Sequence, residues 1–141
     1  MFPASTNDQY RGAAASAWFL ALLALGSIVP GAIHYFLPDG GAEAIAGLDL
    51  GAQRALVIGV FAWMGATQIP YGLAQLAVAT RYRTLVPLFL MLALIERTLA
   101  AVAGWVTKGE NAAHHPPEHY AVVALIPLIA LFLALSLRRK P

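Results

Sequence analysis

Of 141 residues, 60% are hydrophobic and 11% are charged, and the mean hydropathy of +0.69 excludes an ordinary soluble domain in favour of a chain solvated by lipid. A net charge of +2, with no basic patch beyond the flanks of the apolar runs, excludes nucleic acid as a partner. The absence of cysteine excludes disulfides and thiolate metal sites.

Four apolar runs, residues 13–37, 55–80, 84–106 and 120–137, are each long enough to cross a hydrocarbon core as a helix of about 20 residues. Unpaired backbone groups in lipid are costly, and the alternation of a membrane barrel is missing, so these runs predict an all-α, integral membrane four-helix bundle forming a single domain. The first run is too long for the core of a signal peptide and has no clear small-residue cleavage site after it, so it reads as a retained span. It carries Ser27 near mid-membrane and His34 roughly 10 Å closer to one surface, at 1.5 Å of rise per residue.

The loop "PDGGAEAIAGLDLG" opens with turn chemistry and then offers Ile45, Leu48 and Leu50, which fits either a short helix lying in the membrane interface or a simple tether. Arg54 enters the second run. Within that run Gln68, Tyr71 and Gln75 fall at i, i+3 and i+7, one polar stripe flanked by Gly65 and Gly72. A basic turn, "RYR", leads to the third run.

Glu96 and Arg97 lie within roughly 3 Å of the middle of the third run. A central charge costs about 2.5–3.5 kcal/mol on insertion scales, so such residues face protein and pair. At 100° per residue, Ala93, Glu96, Arg97, Ala100, Ala101, Ala103 and Gly104 share one arc, while Leu88, Leu92, Ile95, Leu99, Val102 and Val106 occupy another. The expectation is that the charged, small-residue face turns inward, where Ser27, Gln68, Tyr71 and Gln75 complete a polar core of the first three helices, while the branched face meets lipid or the apolar fourth run. Adjacent helix residues are not ideally placed to pair directly, which leaves part of the charge for other partners. The fourth run has no polar side chain between Tyr120 and Ser136 and reads as a lipid-facing wall.

Pro30, Pro70 and Pro127 sit inside spans, where each frees a carbonyl four residues earlier, and Pro87 sits at a helix start. With the amino terminus in the cytoplasm, the inner segments collect Arg11, Arg81, Arg83, Arg138, Arg139 and Lys140, against Arg54 and Lys108 outside. That bias places both termini in the cytoplasm. It sends "ENAAHHPPEHY" outward. There His114, His115, Glu118 and His119 offer imidazole and carboxylate ligands for a divalent metal, although the spacing is no specific signature and a solvated loop is the plainer reading. His34 is read as bonded to a loop more readily than as a haem or pigment ligand. No phosphate loop, nucleophile elbow or HExxH motif is present.

"AGLDL", "QRALVIGVF", the basic turn, "ALIERTLAAVAGW" and "PPEHY" together resemble a group of small bacterial four-span membrane proteins catalogued as a domain of unknown function, similar in size and layout to DoxX-like proteins. The likeness runs from about Pro38 to Arg139. It implies a compact four-helix bundle with Arg54, Glu96 and Arg97 as its notable polar positions, and it brings no substrate, reaction or cofactor. The histidine-rich loop is longer and more polar than the resemblance implies. The buried polar cluster is thus read as fixing assembly, alone or in a larger membrane complex, or as holding a lipid-like or small ligand. A proton-coupled transporter and a membrane enzyme using Glu96 and Arg97 are the alternatives, with catalysis the less favoured.

Overall fold

The computed structural model describes residues 3–109 and 115–138. Four α-helices dominate: α1 (Ala14–Phe36), α2 (Arg54–Arg81), α3 (Val86–Val102) and α4 (Pro117–Leu137). No strand occurs among the described residues. All four helices, α2 and α3 counted with their flanking turns, are long and apolar enough to cross a membrane. Each coincides with an expected span to within a few residues. The helices run through Pro30, Pro70 and Pro127, whereas Pro87 occupies the first turn of α3, where a missing N–H costs nothing.

Two compact units divide the chain: Met1–Ala21 with Ala77–Pro141, and Leu22–Leu76. In the first, α3 packs on α4. Val86, Leu90 and Ala93 are buried on α3, and Val122, Ile129 and Ser136 on α4. The seven-residue interval on α4 defines a narrow seam, and its remaining apolar surface is left exposed, as expected of a wall facing lipid. The start of α1 closes on the same helix. Phe19 stacks on Phe132 with centroids 4.1 Å apart, and the buried Ser16 hydroxyl donates to the Phe132 carbonyl at 2.8 Å.

The segment before α1 acts as a strap. The last carbonyls of a helix lack partners within it. Thr6 N–H and Ser5 Oγ both donate to the Arg81 carbonyl at 3.0 Å, and Asn7 Nδ2 donates to that of Thr80 at 2.7 Å, so the end of α2 is satisfied. Thr84 Oγ1 donates to Thr6 Oγ1 at 2.9 Å at the approach to α3. Ala13 N–H reaches the Leu135 carbonyl of α4 at 3.3 Å.

In the second unit, α1 and α2 meet through glycine. A Cβ added at Gly65 would lie 2.5 Å from the Gly31 carbonyl oxygen, and one at Gly72 would lie 2.9 Å from that of Ala24. Small residues permit such backbone approach, and that approach supplies the dispersion contacts that hold helices together in lipid. The connection between α1 and α2 forms turns and one three-residue 3-10 helix, Gly51–Gln53, with no helix longer than that. Gly40 and Gly41 take φ of 62° and 75°, values that interrupt a helix, and Asp39 accepts from the N–H groups of Gly41, Glu43 and Ala44. Nor is it a slack tether, since Ala42, Ala46 and Leu50 are buried.

Candidate functional site

The arc expected to face outward on α3 does so. Leu88, Leu92, Ile95, Leu99, Val102 and Val106 are all exposed, while of the other arc Ala93 is buried, Arg97, Ala100, Ala101 and Gly104 are partly so, and Ala103, at its edge, is exposed. Glu96 departs from the expectation of a buried carboxylate. It stands at the border between the two arcs, with 48% of its side chain exposed against 21% for Arg97. The pair does close: Arg97 Nε lies 3.1 Å from Glu96 Oε2. Their 100° separation leaves the contact poorly aligned, so this buried Nε makes no hydrogen bond. The result is an ion pair by proximity that leaves donors on Arg97 and acceptor capacity on Glu96.

Glu96 and Arg97 belong to the first unit, and Ser27, His34, Arg54, Gln68, Tyr71 and Gln75 to the second. Within the second, Gln75 is 2% exposed and its Oε1 accepts from Ser27 Oγ at 3.4 Å, while that hydroxyl also bonds the Leu23 carbonyl one turn back. Gln68 Oε1 is buried with no hydrogen-bond partner. Tyr71 is partly buried.

Two members of the expected set do other work. His34 Nδ1 pairs with the Gly40 carbonyl at 2.7 Å and its ring meets Phe61 edge-on, so it fastens the α1–α2 connection. Arg54 is outside any polar core. Its guanidinium binds Glu43 from an exposed position, with Nη2 3.0 Å from Oε2.

At the far end of the first unit from the strap, α3 passes into a π-helical turn, Ala103–Thr107. The turn delivers Trp105 to the start of α4. Its indole stacks on His115 with centroids 4.2 Å apart and 16° between planes, and its Nε1–H donates to the His119 carbonyl at 3.3 Å. His115 and His119 face one another, Nδ1 to Nδ1, at 3.2 Å. Glu118 is exposed, and His114 lies outside the described residues. Among the described residues no three His, Cys, Asp or Glu side chains gather as a metal set.

Sequence reasoning missed Trp105 because it reads as one more apolar residue. It also missed an open cleft of about 380 Å³ lined by Arg11, Thr84, Ser136 and Arg138, whose parts lie far apart along the chain. Comparison with protein-family models, with curated proteins and with solved structures gives no match.

Proposed function

We propose that this protein is a multi-pass subunit of a bacterial inner-membrane assembly, and that the Glu96 face of α3 is covered there by a neighbouring transmembrane helix. The observation that carries this reading is a carboxylate half exposed in the middle of an apolar span, between the exposed Leu92, Ile95 and Leu99. A charge at that depth costs about 2.5–3.5 kcal/mol against acyl chains. Arg97 offsets only part of this, because the pair is misaligned and Arg97 sits to one side. A partner helix supplying a hydrogen bond would remove the remainder.

Native mass spectrometry from mild detergent tests the proposal. The wild-type chain is expected to appear with a second subunit, its own copy or another, and Glu96→Leu to lower recovery of that species at least fivefold while the monomer stays folded. Equal recovery from both chains counts against it. The same spectra read a second role, favoured by the unpartnered Gln68 oxygen: the holding of a lipid-like or small molecule with a hydrogen-bond donor. A wild-type chain free of bound molecules counts against that role.

A further inference from the structure

We infer that His115 and His119 form a two-imidazole clamp for a borderline divalent metal ion of the Cu²⁺ or Zn²⁺ class, at the junction of α3 and α4. The separation of the two nitrogens is that of a chelate. Imidazole nitrogens bind such ions at about 2.0–2.1 Å, and two ligands on one ion subtend about 90–110°, which sets them about 2.9–3.4 Å apart. The Nδ1 atoms stand at 3.2 Å. A metal ion takes the place of the proton that one Nδ1 donates to the other; that ring carries its proton on Nε2 instead, and both Nδ1 atoms then bind through lone pairs.

The rings are held in place by groups other than each other. The two prolines before Glu118 fix the backbone entering α4, and the His119 N–H donates to the Pro116 carbonyl at 3.0 Å. The Trp105 indole fixes His115 from one side by stacking, and Tyr120 meets that ring edge-on, at a centroid distance of 6.4 Å. A Cβ at Gly104 would come within 3.2 Å of the His119 ring, so only glycine leaves the ring its present position. Such ordering lowers the entropic cost of binding. It is also unusual that the π-helical turn falls here, since an irregularity of this kind in a helix often marks a functional site.

Two nitrogens leave the ion's other positions to water or to an incoming ligand, so the site is open. The Irving–Williams order places Cu²⁺ above Zn²⁺ on this donor set.

Titration of the tag-free full-length chain in detergent with Cu²⁺ alone tests the clamp. One equivalent is expected to quench indole emission and to give an electron paramagnetic resonance spectrum with nitrogen splitting from two imidazoles. In His115→Gln and His119→Gln the affinity is expected to fall at least tenfold, and Trp105→Phe is expected to retain the ion while losing most of the quenching. A wild-type spectrum showing only oxygen ligands overturns the inference without recourse to any variant. Binding that is equal in the wild type and in both histidine variants, each with native helicity by circular dichroism, overturns it as well.

Discussion

A single carboxylate organises the longest connection of the chain. Asp39 accepts three backbone N–H groups, from Gly41 at 3.0 Å, Glu43 at 3.2 Å and Ala44 at 2.8 Å, and these bonds, led by those of Ala44 and Gly41, hold its pKa below the usual carboxylate value. A group whose pKa is depressed on folding contributes stability at every pH above its unfolded value, and that contribution is lost as pH falls through the folded value. Wild type should therefore melt above Asp39→Ala at neutral pH, and the gap should narrow as pH falls below about 4, the unfolded aspartate value. Melting curves in detergent from pH 7 downward check this. A gap that does not change with pH would mean that the loss comes from packing. At the same scale His34 is bonded to a loop, as the sequence led one to expect, but its partner atom was not legible there. Its partner, the Gly40 carbonyl, is a backbone group brought round by two residues of positive φ, and no side-chain pattern announces it.

Among the helices, the decisive contrast lies between glycines of α2. Gly65 has a backbone carbonyl of α1 where its Cβ would be, whereas Gly59 has nothing within 4 Å. Alanine at either position gains about 0.5–1 kcal/mol of helix propensity. At Gly65 that gain is outweighed by the backbone shift needed to relieve the clash, of about 1–3 kcal/mol. Gly65→Ala should therefore lower, and Gly59→Ala hold or raise, the denaturant midpoint of the chain in mixed micelles. Equal effects would show that α1 and α2 do not meet through glycine. This level was partly legible in advance. The length of the apolar runs located all four helices, and periodicity gave the flanking of the α2 polar stripe by Gly65 and Gly72 and the exposed arc of α3. It did not reveal the π-helical turn after Val102, because one added residue in a helical turn changes which side chain faces α4 while leaving the apolar composition as it was.

For the chain as a whole, the extent of exposed apolar surface on its helices is the dominant fact. Trp63 is 74% exposed and Phe36 72%, and only 11% of the most apolar stretch of α2 is buried, surfaces that fit a multi-pass membrane protein. Within the first unit the strap gathers Arg81 and Arg83 at the end where Arg11 and Arg138 line the open cleft, while Lys108 follows the π-helical turn at the other end. On the positive-inside bias we propose that this end of the unit faces the cytoplasm. Since the chain has no cysteine, single-cysteine variants report unambiguously. A membrane-impermeant maleimide applied to intact cells should label Asp49→Cys and Lys108→Cys and spare Asp8→Cys, and the reverse pattern would invert the topology.

Helix number, helix position and the exposed apolar arc of α3 followed from the sequence because they depend on local hydrophobicity and a fixed 3.6-residue repeat, both written along the chain. The strap across the helix ends, the half-exposed position of Glu96 and the facing histidines beside Trp105 were decided by tertiary structure. Each depends on which residues distant in sequence come within a few ångströms, and on a difference of a fraction of a helical turn that periodicity cannot resolve.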